Sequence, residues 1–137
     1  MIYFISGHRD LTQEEFDKFY KPTIDSCIED NKKIGAKSFF NIGDYEGADL
    51  IAQEYLKELC EKNVISYSDI TIFHMFDKPR HCASERFHTI GGFKSDVERD
   101  SAMTTSSFKD IAFIRKGKWK SGTAQNILRR YEVLEKK

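Results

Sequence analysis

The chain has 137 residues, 39% of them hydrophobic and 13% aromatic, which suits one globular domain over residues 1–137 with a substantial core and leaves little for a second. Its 22 Lys and Arg balance 22 Asp and Glu, so no overall field draws it to a nucleic-acid backbone or an anionic membrane, and any anion site has to be local. No stretch is apolar for long enough to span a bilayer and the start lacks the flanks of a signal peptide, so a cytoplasmic protein with no membrane partner is expected.

Tyr3, Phe4 and Ile5 form a short apolar run stopped by Gly7, which predicts a central strand buried on both faces. From Thr12, with Glu15 three positions later as in a capping box, Phe16, Phe19, Tyr20, Ile24, Cys27 and Ile28 fall on one helical stripe. Pro22 lies off that stripe and predicts a kink or break, because proline removes a helical hydrogen bond and crowds the preceding turn. Phe39, Phe40 and Ile42 make a second strand, cut off by "GDYEGAD". Ala48, Ile51, Ala52, Tyr55, Leu56 and Leu59 then repeat at helical spacing. "ITIFHMF" is a third strand, rich in β-branched and aromatic residues. From Asp77 to Phe93 the charges, the histidines, Pro79 and the Gly91-Gly92 pair carry no period and predict a long loop. Residues 94–107 are polar and partly helical. "IAFI", residues 111–114, is a fourth buried strand. After "RKGKWKSGT" a last helix sets Ala124, Ile127, Leu128, Tyr131 and Leu134 on one side and ends in a frayed "EKK".

Strands alternating with helices across polar, glycine-bearing turns predict an α/β fold, a Rossmann-like three-layer sandwich whose mainly parallel sheet carries helices on both faces. In such folds ligands lie beyond the carboxyl ends of the strands, near the point where strand order reverses. The turns "GHRD", "GDYEG" and "KWKSGT" would then face one crevice.

Their chemistry suits an anion and a sugar. In Ser121-Gly122-Thr123 the glycine lets an anion approach the backbone while the first amides of the helix and two hydroxyls bond its oxygens; the same triplet also reads as a helix cap. Lys116, Lys118 and Lys120 flank it, and Trp119 is placed either to stack on a base or to pack across the sheet edge. Asp44 and Glu46 offer acceptors for ribose hydroxyls, Gly47 permits close approach of the next helix, and Asp49 complements the helix dipole. Arg9 is suited either to clamp a phosphate or to brace Asp10, and His8 to bond a ligand or exchange protons near neutrality. His74, His81 and His88 have no metal-ligand spacing, and no metal or other cofactor is assigned. Cys27, Cys60 and Cys82 are odd in number and read as reduced, structural residues.

Taken in order, "SGHRDLT", "NIGDYEGADLIAQEYL", "VERDSAM" and "DIAFIRKGKWKSGTAQNI" resemble the SLOG superfamily, the Rossmann-like group with the lysine-decarboxylase-like LOG proteins, DprA-like domains and the small YspA-related proteins, the last being most similar. The resemblance spans the chain apart from residues 77–93. It implies one wall from Gly7, Arg9 and Asp10, a second from Gly43, Gly47 and Asp49, a lid from Arg99, Asp100 and Met103, and a phosphate seat at Gly122 and Thr123. Two positions depart from it. Asp100 stands where the YspA-related branch has asparagine, and Asn126 stands where LOG enzymes carry the glutamate of their phosphoribohydrolase reaction, an amide that cannot serve as a carboxylate base.

The sequence therefore carries two expectations. One is a sensor or sequestering module that binds a nucleotide-derived small molecule, such as a mononucleotide, an ADP-ribose-like molecule or a cyclic signalling nucleotide. The other is an N-glycosidic hydrolase with Glu46 or Asp44 as its acidic group. A DprA-like nucleic-acid role is disfavoured by the balanced charge. Two apolar-faced helices point to a homodimer or higher homo-oligomer.

Overall fold

The first apolar run folds as β1 (Ile2–Ile5), an interior strand of a five-stranded sheet that stands next to one edge rather than at the expected centre, with strands added on both sides. The computed structural model describes residues 1–118 and 121–135. Thr12 and Glu15 close the expected capping box and start α1 (Gln13–Phe19). The stripe then breaks at Tyr20, and Pro22 sits in the first turn of α2 (Lys21–Lys33), where its missing N–H costs no helical bond. β2 (Phe39–Gly43), α3 (Ala48–Glu61), a 3-10 turn at Tyr67–Asp69, β3 (Ile70–Met75), β4 (His88–Phe93), α4 (Asp96–Thr105), β5 (Lys109–Ile111) and α5 (Gly122–Glu135) follow.

All neighbouring strands are parallel, in the order β4-β3-β2-β1-β5, with Ile5 opposite Ile42 on one side and Ile111 on the other. Alternation along the strands decides the layers. Tyr3, Ile5, Phe40, Ile42, Ile70 and Ile72 join Phe16, Tyr20, Ile24 and Leu56 in the larger core, beneath α1, α2 and α3. Phe4 and Phe73 point the other way and meet Met103 of α4. The fold is thus an α/β, Rossmann-like three-layer sandwich with an all-parallel sheet. Through α4 the chain passes from one sheet edge, β4, to the other, β5, so strand order reverses between β1 and β5. In such folds this is where a crevice opens.

Three further expectations about elements are corrected. The last six residues of the 77–93 stretch form β4, an edge strand exposed along most of its length, and so lack the buried apolar run that would announce a strand. The last strand is Lys109–Ile111, so only the first residue of "IAFI" belongs to it. On α5, Leu128, Tyr131 and Leu134 are 53%, 62% and 53% exposed, while Thr123, Ala124, Asn126 and Arg130 form the buried side. Arg130 explains that choice: it donates to the carbonyls of Thr104 and Ser107 and to Asp110, pinning α5 to the end of α4 and to β5. Cys27, Cys60 and Cys82 are all unpaired. Among the described residues no helix is long and apolar enough to cross a membrane.

Candidate functional site

Two of the polar turns interlock through their backbones. The carbonyl of His8 accepts from the N–H of Leu11 (3.1 Å) and from that of Ala48 (3.1 Å), at the first residue of α3. Gly47 takes φ +73°, and a Cβ there would collide with the carbonyl of Arg9, so the position requires glycine on two counts. A Cβ on Gly7 would strike Tyr20 and sit 2.5 Å from the Ala48 Cβ. Tyr20 in turn donates to the Ser6 carbonyl (2.7 Å) and accepts from the N–H of Phe113 (3.0 Å), holding β1 beside the segment after β5.

Beyond the carboxyl ends of β1, β2 and β5 lies a cleft of about 790 Å³. Ser6, Gly7, His8, Arg9 and Asp10 line it from the first turn, and Tyr45, Glu46 and Asp49 from the second. α4 contributes Asp96, Arg99, Asp100 and Met103, and the last turn and α5 contribute Arg115, Lys118, Ser121, Gly122, Thr123, Asn126 and Arg129. Trp119 and Lys120 lie outside the described residues.

Asp44 does not line this cleft. It is 0% exposed and accepts from the backbone N–H (2.8 Å) and guanidinium (2.9 Å) of Arg80 and from Arg99 (2.8 Å). Burial works to raise its pKa, yet the Arg80 hydrogen bonds and the two guanidinium charges outweigh that and hold it below the usual carboxylate range. Asp44 therefore straps the segment after β3 onto the end of β2. Gln53 adds a second strap, donating to the Gly43 carbonyl (3.0 Å) and accepting from the N–H of Ala83 (2.8 Å).

Asp49 and Arg99 close over Gly43. A Cβ on Gly43 would lie 2.5 Å from Asp49 Oδ2 and 3.0 Å from Arg99 Cζ. Asp49 Oδ2 accepts from the N–H of Tyr45 (3.1 Å), which ends the turn at the start of α3. Arg99 gives its N–H groups to Asp44 and Asp100. Burial pushes the Asp49 carboxyl up to about 7, against the opposing pull of Arg99 and the Tyr45 N–H. Glu46 is exposed at the rim. Met103 packs against Phe4 and Phe73 at the cleft floor.

On the opposite wall the Arg9 side chain is 66% exposed, lies over the Tyr45 ring (4.2 Å) and only approaches Asp96 (3.9 Å). Asp10 is held by Arg115 (2.6 Å), which also forms a two-point pair with Glu15 (2.8 and 2.6 Å). Those hydrogen bonds, with the Thr12 N–H, hold Glu15 at about 2. The N–H of Arg115 donates to Nε2 of His8 (2.9 Å). Burial, and then the Arg115 charge, hold His8 below the ordinary imidazole range.

At the start of α5, Ser121 Oγ caps the N–H of Ala124 (3.2 Å), so that hydroxyl serves the helix. The amides of Gly122 and Thr123 precede the first intrahelical bond and carry the positive end of the helix dipole. A Cβ on Gly122 would have nothing among the described residues within 4 Å. Ser6, which lines the same cleft, is buried, and its Oγ has no hydrogen-bond partner among the described residues. Asn126 is buried and accepts from Arg129 (2.7 Å).

Sequence reading missed Arg80, Arg115 and Ser6. Arg115 directly follows the apolar run after β5, the place where a turn residue faces the crevice, and that signal was available. Arg80 meets Asp44 across 36 residues, a separation at which no local pattern links the two. Among the described residues no group of three or more His, Cys, Asp or Glu side chains is disposed to hold a metal. Compared with protein-family models, curated proteins and solved structures, the chain gives no match.

Proposed function

We propose that the cleft binds a nucleotide or nucleotide-derived ligand, a mononucleotide, an ADP-ribose-like molecule or a cyclic signalling nucleotide, and that the protein acts as a sensor or sequestering module for it. The observation that carries this reading is the meeting, in one cleft, of three features: amides at the start of a 14-residue helix, a Gly122 whose Cβ position is open among the described residues, and a buried Ser6 hydroxyl without a partner among them. Together they form a seat for phosphate oxygens. Arg9, Lys118 and Arg129 add positive charge around it, and Glu46 and Asp49 offer groups for ribose hydroxyls on the other wall. The resemblance of the four motifs to SLOG proteins supports the same ligand class.

The test is native mass spectrometry of gently purified protein, followed by denaturation and identification of what is released. A phosphorylated nucleoside or cyclic nucleotide near one per chain is expected. Recovery of an unrelated class of molecule would overturn the reading.

A second reading, N-glycosidic hydrolysis of a nucleotide, draws on the presence of Glu46 at the rim of the same cleft. Asp44 is committed to Arg80 and Arg99, which leaves Glu46 as the acidic group for this chemistry. Release of free base from a panel of nucleotides, lost in Glu46→Gln, would favour it over simple binding.

A further inference from the structure

Asp49 differs from Asp10, Asp96 and Asp100, the other aspartates lining the cleft, in having no ion pair among the described residues. Arg99 lies beside it, but its N–H groups go to Asp44 (2.8 Å) and Asp100 (2.9 Å), and its nearest further acid is Asp96 (3.3 Å). Arg80 is taken by Asp44 and Asp96. Four carboxylates, Asp44, Asp49, Asp96 and Asp100, thus surround two guanidiniums, with the exposed Arg9 only 3.9 Å from Asp96 as a loose third. The cluster keeps an excess of negative charge, and Asp49, buried at 8% exposure, is its one carboxylate outside the ion pairs among the described residues. A proton is the simplest relief.

The geometry leaves one atom for that proton. Oδ2 accepts from the Tyr45 N–H, whereas Oδ1 has no donor among the described residues, and Asp49 lines the cleft. The ionisable groups facing Asp49 are Asp44 from the turn after β2, Arg99 and Asp100 from α4, and Tyr20 from the α1–α2 junction. Glu46, His8 and Arg9 share the cleft with it. Burial dominates all of them in its effect on Asp49.

We infer that Asp49 stands in the cleft as a neutral carboxylic acid whose Oδ1–H donates a hydrogen bond to the bound nucleotide, so that the site selects at neutral pH for a ligand presenting an acceptor there. This rests on the nucleotide reading of the cleft. A carboxylate at the same place would repel the phosphate and offer the ligand no proton, so binding weakens as the solution turns alkaline. No proton leaves Asp49 for good: the group is a donor, and it is recovered unchanged when the ligand departs.

Asp49→Asn tests this cleanly, because the amide oxygen can keep the Tyr45 N–H bond while the amide nitrogen supplies the donor. Two readouts are needed. In the first, carbon-13 NMR of labelled aspartate carboxyls follows titration of the ligand-free protein; one carboxyl titrating near neutrality, absent in the variant, is expected. In the second, calorimetry with adenosine 5′-monophosphate between about pH 5.5 and about pH 8.5 measures affinity. Wild-type affinity is expected to fall by about tenfold per pH unit above neutrality. The variant keeps only the titration of the phosphate itself, near about pH 6. If every carboxyl titrates in the acidic range, or the alkaline loss persists in Asp49→Asn, the inference is overturned. If the neutral titration is present but the nucleotide binds at no pH, the nucleotide reading is what fails, and the donor role goes with it.

Discussion

The backbone N–H of Arg115 donates to Nε2 of His8 over 2.9 Å, and this one bond decides which proton the histidine carries. With Nε2 accepting, a neutral His8 must hold its hydrogen on Nδ1. His8 is thereby a fixed donor in the cleft wall, while the Arg115 guanidinium ties the same turn to Asp10 and Glu15. Nitrogen-15 NMR is expected to show the Nδ1–H tautomer at pH 7, with protonation only below the ordinary imidazole range. The stability consequence has a definite sign. Between its lowered pKa and the unfolded value of about 6.5, the unfolded chain binds the proton and the native state does not, so His8 makes stability rise with pH there.

Two glycines with opposite surroundings separate folding from binding. Gly47→Ala places a Cβ against the Arg9 carbonyl at a left-handed φ and is expected to cost about 3 kcal/mol or more, read as a lowered urea midpoint. Gly122→Ala meets open space, and its effect on stability is expected to stay within about 1 kcal/mol. Gly122→Glu likewise folds, but it sets a carboxylate before the α5 amides. Affinity for adenosine 5′-monophosphate is then expected to drop by about tenfold or more, a change of about 1.4 kcal/mol.

Asp44→Ala removes the acceptor shared by Arg80 and Arg99 and leaves Arg99 as a buried charge paired only through Asp96 and Asp100. Breaking a buried pair from one side costs about 3 to 5 kcal/mol. Hydrogen exchange should locate the damage: the Arg80 amide loses its acceptor and exchanges faster, while Ala83 remains protected by Gln53. Equal acceleration at both amides would show that Asp44 is not the strap for this segment.

Asp49 gives stability a pH dependence of the opposite sign to His8. Its carboxyl sits at about 7 in the fold and near about 3.9 when unfolded, so between those values the native state holds a proton that the unfolded chain has lost. Stability is greatest below the lower value, falls as pH rises, and is fully reduced above neutrality, by an amount on the order of a few kcal/mol. Asp49→Asn removes that fall. Urea midpoints at about pH 5 and about pH 8 are expected to converge in the variant relative to wild type.

The elements readable in the sequence are those whose periodicity matches burial. β1, β2, β3 and α3 carry dense apolar patterns, and Pro22 marks the break between α1 and α2 because its backbone chemistry acts locally. β4 was hidden because it is an exposed edge, and because Gly91 occupies a place where a Cβ would run into the His74 ring, so a strand position carries a loop residue. α5 misled for a different reason: its apolar stripe at Leu128, Tyr131 and Leu134 faces outward, while the long-range bonds of Arg130 set which side is buried. At the site, most residues named from the turns do meet in one cleft, since a parallel sheet gathers the turns at one end. What the turns could not tell was which side chains are already taken. Asp44 reads as a free acceptor until Arg80 is seen, and Asp10 until Arg115 is seen.

The most direct test of the nucleotide cleft is a titration of nitrogen-15-labelled protein with adenosine 5′-monophosphate, following the backbone amides, in wild type and in Ser6→Ala. Removing a buried hydroxyl that has no partner among the described residues costs the fold little, so the variant keeps its spectrum and its stability. Saturable shifts gathered at Ser6 to Asp10, Tyr45 to Asp49 and Ser121 to Asn126 are expected, with weaker binding in the variant. Shifts scattered over the surface, shifts gathered elsewhere, or no shifts at millimolar nucleotide would contradict the nucleotide reading of the cleft.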